Sequence, residues 1–336
     1  MERIIEFLEN PSNYEEKPKK IEKRETHISL VFLTDKYAYK IKKSVNLGFL
    51  DYTTLEKRKY FCEKEVELNR RMAEGLYEGV IYIGEEKGKL FFNKGEPLEY
   101  AVKMKRIPDD TLLSFMVKEG KAKKEDLLKV GEFLAEFHLK AKKDKRISEF
   151  GKPEKFKINT DENFEQTKDF PEDIINKKDF EYLKSKTDEF YKKYDKLMRK
   201  RVKEGKIRDS HGDIRLDHVT FFENKIRIID CIEFNERFRF GDIILDAVFL
   251  KMELDEMGKE ELGDEFIKGW ISKTGEKFDE IKPLYYFYLS YRAYVRAKVT
   301  GFLLSDPHIE NKEKIKERAK RLFKMARGYM EKIPLL

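Results

Sequence analysis

The chain has 336 residues, 40% of them apolar, with 26 Phe, 17 Tyr and one Trp; this is ample for a real core and long enough to favour two lobes. Its 72 Lys and Arg are interleaved with 65 Asp and Glu, as in 118–129 and 177–206, so the net charge of +7 forms no basic stripe and argues against a nucleic-acid partner. Two Cys without zinc-like spacing imply a reducing compartment, no apolar run approaches a membrane span, and the acidic, amphipathic start is not a secretory signal, so a cytoplasmic protein without a membrane partner is expected.

In chain order, a short helix is followed by strand-like runs at 28–33, 36–42, 79–84, 89–92 and 99–105. Between the pairs the pattern predicts one helix, with Thr53 as N-cap and Glu56 three residues on, running to about Ala73 before Gly75. In Tyr37-Ala38-Tyr39-Lys40-Ile41, alternation sets Ala38 and Lys40 on the face opposite Tyr37, Tyr39 and Ile41. A small residue two before a strand Lys leaves room for adenine while the Lys reaches the α- and β-phosphates; Lys42 shares that face and is a rival. On the helix, Glu65 falls inside the apolar arc of Leu55, Phe61, Cys62, Val66, Leu68, Met72 and Ala73, where a bare carboxylate needs a partner. Lys40 is the favoured partner; Arg58 in the same arc, or water, are the alternatives. Residues 23–29, where a phosphate-covering loop is expected, contain no Gly, leaving Thr26, His27 and Ser29 as donors. No Walker A sequence occurs, which excludes P-loop chemistry.

The expected lobes are 1–106 and 107–336, joined by a hinge at 105–108; Met104, just before it, and Arg106, within it, are candidate nucleotide contacts. The next helix carries Leu127, Val130, Leu134 and His138 at helical spacing, which is most simply core, and a Lys-rich helix covers about 170–204. Then comes His211-Gly212-Asp213-Ile214-Arg215-Leu216-Asp217-His218, followed by strands at 219–222 and 225–230 around a Glu223-Asn224 turn. An Asp in a polar loop, a hairpin and a second Asp at a strand end is how kinase-type phosphotransferases place base and metal. Folding the hairpin brings Asp213, His218 and Asp230 to one end. Beyond it, Glu233 is expected at a second metal or the acceptor, Asp242 as the hydrogen-bonded support of the catalytic loop, and Asp246 as a helix N-terminal charge. A Tyr-rich helix at 285–300 carries Arg292 and Arg296, either snorkelling from the core or gripping an anionic or polyhydroxyl acceptor.

HGDIRLDHV (211–219), IIDCIEFN (228–235), GDIILDAVFL (241–250) and YAYKIKK…EKEVELNRRM (37–72) resemble the aminoglycoside phosphotransferase-like family of kinase-fold proteins over about 27–300. The resemblance implies an α+β bilobal protein-kinase-like fold, with a small antiparallel-sheet lobe and a larger helical one. It also implies ATP, Mg²⁺ and γ-phosphoryl transfer to a small-molecule hydroxyl. By motif, Asp213 is the base with Arg215 beside it as a second catalytic candidate, Asp230 the metal carboxylate, Lys40 the phosphate lysine and Glu65 its partner. His218 stands where the family pattern has Asn; as a metal ligand it would admit a softer ion such as Mn²⁺. A non-catalytic nucleotide-binding pseudokinase is the alternative reading. A protein Ser/Thr kinase is a further one, although the span from Asp230 to Asp242 leaves little room for an activation loop.

Overall fold

The computed structural model describes residues 1–306 and 310–334. Backbone contacts divide the chain into two compact units, Met1–Gly120 with Asp217–Glu236, and Lys121–Leu216 with Arg237–Leu336. The boundary expected at residue 106 therefore falls inside the first unit, which also takes back the 217–236 hairpin from the second half of the sequence.

The first unit is built on an antiparallel sheet of β1 (Glu22–Glu25), β2 (Ser29–Leu33), β3 (Tyr37–Lys42), β4 (Tyr77–Glu86), β5 (Lys89–Phe92) and β6 (Glu96–Lys105), in the order β1-β2-β3-β6-β4-β5. The sequence pattern gives only five strands because β1 (Glu-Lys-Arg-Glu) is an edge strand with no apolar alternation to betray it. Residues 23–29 are thus the β1–β2 hairpin. Its turn is closed by Thr26, whose N–H donates to Ser29 O (2.9 Å) and whose Oγ1 accepts from Ser29 N–H (3.0 Å). No residue of the turn has a positive φ, so none has to be glycine.

Alternation along the strands gives the sheet two faces. One buries Phe32, Tyr39, Ile41, Ile83 and Ala101 with Ile4 and Leu8 of helix α1 (Glu2–Glu9). The other buries Ala38, Val102 and Met104 under Cys62 and Val66 of helix α2 (Leu55–Asn69). The N-cap of α2 is Thr54, one residue later than expected: its Oγ1 accepts from Lys57 N–H at 3.2 Å, while Thr53 hydrogen-bonds to Asp51. The hairpin Val219–Thr220/Arg227–Ile228 is shorter than its apolar runs suggest. It turns through Glu223 and Asn224, both at φ 56, a left-handed pair that Asn favours. Phe221 N–H to Thr111 O (2.9 Å) and Ile228 N–H to Met72 O (3.2 Å) tie the hairpin to the unit, beside the short helix α3 (Leu113–Lys118).

The second unit is mainly helical: α4 (Lys124–Lys140), α5 (Lys145–Glu149), α6 (Pro153–Thr167), α7 (Lys177–Lys203), α8 (Glu236–Arg239, across the unit boundary), α9 (Ile244–Glu256), α10 (Glu260–Thr274), α11 (Phe278–Phe302) and α12 (Lys312–Met330). The Lys-rich helix starts at Lys177 rather than 170, because Pro171 restricts Phe170 and opens a separate turn closed by Ile174 N–H to Pro171 O (2.9 Å). Helices α4 and α10 meet backbone to backbone. A Cβ on Gly131 would lie 2.0 Å from Phe266 O, and one on Gly269 would lie 2.1 Å from Leu128 O. That approach sets His138 against Trp270. Among the described residues no helix is long and apolar enough to cross a membrane, and Cys62 and Cys231 are buried and unbonded to each other.

Candidate active site

The site in the first unit follows from β3 and α2. Alternation places Ala38, Lys40 and Lys42 on the face that α2 covers, and Ala38 pairs with Met104 across β3–β6. Glu65 of α2 is 1% exposed there. Its Oε1 lies 2.9 Å from Lys40 Nζ and its Oε2 2.7 Å from Lys42 Nζ, so the two lysines are not rivals but share one carboxylate. Arg58, the other candidate partner, spends its Nε on Glu99 at 2.9 and 3.0 Å. Burial alone would push the Glu65 carboxyl up; Lys40 and Lys42 outweigh it and hold it below the usual carboxylate range. For Lys40, burial opposes charge, but Asp230 and Glu65 keep the ammonium well above its ordinary value.

Asp230 arrives from the hairpin. Lys40 Nζ donates to its Oδ1 at 2.7 Å, and His218 Nε2 stands 3.6 Å from its Oδ2, so the two candidate metal residues are together. Asp230 is at φ 63, a conformation that costs a non-glycine residue about 1 kcal/mol or more and concentrates at functional sites. Flanking bonds hold it there. Asp230 N–H donates to Tyr77 OH (3.4 Å), Cys231 N–H to Asn69 Oδ1 (3.0 Å), and Asn69 Nδ2 to the backbone oxygen of Glu65 (2.8 Å).

Glu233 does not present its carboxylate to a metal or an acceptor as expected. Its Oε1 accepts from Lys42 Nζ (2.5 Å) and Tyr52 OH (2.7 Å), and its side chain is 7% exposed. Ser29 sits opposite Lys42 across β2–β3, buried, with a hydroxyl that finds no hydrogen-bond partner. Arg106 is held within the sheet: Nη1 donates to Thr34 O and Nη2 to Glu22, both at 2.9 Å, and its N–H bonds to Lys36 O. Its guanidinium is thus turned towards Thr34 and Glu22.

In the second unit the His211–Asp213 loop is hung from one buried carboxylate. Asp246 Oδ2 accepts from His211 N–H (2.8 Å) and Oδ1 from Gly212 N–H (2.9 Å), while His138 Nε2 lies 3.1 Å from Oδ2. Trp270 Nε1 donates to His138 Nδ1 at 2.9 Å, which leaves Nε2 as the proton-bearing nitrogen facing Asp246. Burial raises the Asp246 carboxyl, yet the bonds from His138 and His211 bring it down to about 2. The loop support expected of Asp242 thus falls to Asp246, which also lies, as expected, in the first turn of α9. Asp242 instead takes Arg201 through two bonds of 2.7 and 2.8 Å. Gly212 at φ 90 makes the turn, and Asp213 N–H donates to His211 Nδ1 at 3.2 Å.

Arg215 Nε donates to Glu253 Oε1 (3.0 Å), and Leu216 N–H to Glu253 Oε2 (2.8 Å). The two arginines of α11 part company. Arg292 is buried over the Phe249 ring (4.5 Å) with Nε on Leu245 O, a core role. Arg296 lies 3.9 Å from the Glu253 carboxylate and its Nε has no hydrogen-bond partner. Burial pulls its guanidinium down, Arg215 adds to that, and Glu253 and Asp213 oppose it.

No family model matches the chain. Uncharacterized proteins of Mycobacterium tuberculosis (strain H37Rv) and Mycobacterium bovis are 33% identical over 279 residues, 83% of this chain and 54% of theirs. The chain thus spans about half the length of the curated relatives it matches. Among solved structures, the GDP complex of aminoglycoside 2′-phosphotransferase-IIIa aligns at TM-score 0.54 and 13% identity over 97% of each chain. A choline/ethanolamine kinase family protein from Mesorhizobium loti aligns at 0.53 and 10% identity over 97% of this chain and 98% of its own. Plasmodium vivax ethanolamine kinase aligns at 0.51 and 10% identity over 90% and 81%.

Proposed function

We propose that this chain, which has the α+β protein-kinase-like fold of aminoglycoside phosphotransferase-like and choline/ethanolamine kinase-like proteins, moves the γ-phosphoryl group of ATP to a hydroxyl of a small molecule. The observation that carries this is the cluster in the first unit. Lys40 Nζ lies 2.9 Å from Glu65 and 2.7 Å from Asp230, a residue 190 positions away in sequence. A surface lysine has no need of two carboxylates, one of them 1% exposed. An ammonium that must be aimed at phosphates does.

Lys40 pulls the α- and β-phosphates into line, with Glu65 fixing its direction. Ala38 and Met104 form the apolar floor for the base. Asp230 fits a divalent cation: its Oδ1 already holds a cationic group, the Lys40 ammonium, at 2.7 Å, and His218 adds a nitrogen. Such an ion would take its remaining ligands from phosphates and water. When bound, Mg²⁺ or Mn²⁺ would neutralise charge on the β- and γ-phosphates. Asp213 orients the acceptor hydroxyl and takes its proton late, and the Asp246 anchor keeps its loop in place.

Arg296, whose Nε makes no hydrogen bond and lies 3.9 Å from Glu253, favours an acceptor that carries a carboxylate or phosphate over a polycationic drug. The test is turnover of radiolabelled ATP against a panel of hydroxylated metabolites, with Mg²⁺ and with Mn²⁺. Asp213→Asn is expected to lose transfer by about 10²-fold or more while ATP binding stays near wild type. Wild-type turnover by Asp213→Asn would remove the base assignment, and a wild-type chain that binds ATP but transfers nothing would favour the pseudokinase reading.

A further inference from the structure

We propose that Lys42 is a second positioning lysine, which stays on Glu65 and Glu233 so that Lys40 is able to leave Asp230 for the nucleotide phosphates. This rests on the phosphotransferase reading above and adds a residue to it. Lys42 itself is no phosphate ligand: its side chain is 1% exposed, with Glu65 Oε2 at 2.7 Å, Glu233 Oε1 at 2.5 Å and the Tyr52 ring 4.9 Å from its Nζ. Lys40, at 17% side-chain exposure, is the reachable one.

The argument is one of charge. The cluster holds the ammonium groups of Lys40 and Lys42 against the carboxylates of Glu65, Glu233 and Asp230. Without nucleotide, Lys40 serves Asp230. When a metal takes Asp230 and phosphates take Lys40, Glu65 would be left as a buried carboxylate with a weakened partner, which is costly. Lys42 removes that cost, because it keeps one oxygen of Glu65 paired whichever way Lys40 points. Glu233 lies three residues after Asp230, so the same ammonium also pins the segment that carries the metal carboxylate. Tyr52 closes the arrangement by donating to the oxygen that Lys42 holds. Take Lys42 away and, among the described residues, Lys40 alone pairs with Glu65; its use on phosphates then competes with burial of that acid.

Isothermal titration of the full chain with Mg²⁺·ATP tests this, using Lys40→Met, Lys42→Met and the double variant, each first shown by a melting curve to be folded. Lys42→Met is expected to weaken binding by about tenfold or more, the size usual for a group that orients a ligand through another. The double variant should bind no more weakly than Lys40→Met alone, because Lys42 acts through Lys40. A structural residue without this role would lower the melting temperature and leave the affinity of the folded protein unchanged. Lys42→Gln, which keeps the donor and most of the volume, takes the same measurement should the Met variant not fold. Wild-type affinity in the Lys42 variant, or losses that multiply in the double variant, overturn the proposal. A wild-type chain that binds no Mg²⁺·ATP overturns instead the phosphotransferase reading on which it stands.

Discussion

At the scale of single residues the clearest strain is at Asp230. Its φ of 63 is a conformation that glycine adopts without penalty and other residues do not. Its carboxylate gains little stability in exchange, since the side chain is 45% exposed and the pair with Lys40 is partly screened. Asp230→Gly should therefore unfold in urea at a free energy about 1 kcal/mol higher than Asp230→Ala, the reverse of the order expected in a strand or helix. Both should lose metal-dependent nucleotide binding. An Ala variant as stable as the Gly variant would show that the backbone there is not strained. The sequence revealed Asp230 because it ends an apolar run after a turn, and Glu65 because it interrupts an apolar arc. It could not show that Glu65 takes both lysines, or that Glu233 closes on Lys42 and Tyr52, since pairing among like-placed charges depends on distances that periodicity does not encode.

Among the elements, α9 shows how a local pattern misleads. Ile-Leu-Asp-Ala-Val-Phe-Leu reads as a core helix with one acid in its first turn, and the helix-dipole explanation for Asp246 is sufficient on its own. The burial of every residue from Ile244 to Leu254 is what makes that acid exceptional, because a fully buried carboxylate must be hydrogen-bonded. His138, read from sequence as a satisfied core histidine, is satisfied by this very acid, with the chain's one Trp behind it. The missing clue was tertiary: α4 and α10 touch only because Gly131 and Gly269 leave the room. The Asp246 carboxyl is lowered to about 2, so it binds a proton more weakly in the folded chain than in the unfolded one. Its contribution is thus complete above the ordinary carboxylate range and disappears as pH falls from about 4 towards 2, amounting to about 2 kcal/mol. Asp246→Asn should lose at least that much at neutral pH and flatten the acid limb of the stability curve measured by urea titration at each pH. An unchanged acid limb would mean the anchor carries no net charge stabilisation.

At the scale of the whole molecule, the antiparallel sheet, the helix α2 on one of its faces and the helical second half were readable from alternation and caps. The division of the chain was not. A boundary placed after the last strand of the sheet is natural, yet the first unit is discontinuous in sequence and reclaims 217–236. Short strands of two residues each carry too few side chains to announce which core they join. Their membership is decided by Phe222 and Ile229, which pack against the cluster of Ala38, Cys62, Val66 and Met104, and by the carboxylates of Asp230 and Glu233 that pair with Lys40 and Lys42. The fragment 1–120 should accordingly be a poor folding unit. It would keep two lysines facing Glu65 alone, and stranding a buried charge costs about 3–5 kcal/mol, a large share of the 5–15 kcal/mol that a domain possesses. Joining 217–236 to residue 120 through a flexible linker should restore a cooperative thermal transition, while 1–120 alone should show none or melt far lower by circular dichroism. The same joined chain with Asp230 and Glu233 both changed to neutral amides separates the two contributions: recovery of cooperative melting would assign the effect to apolar packing, and failure to recover would assign it to the ion pairs. Equal melting of 1–120 and the joined chain would show that the hairpin is not part of that unit's core at all.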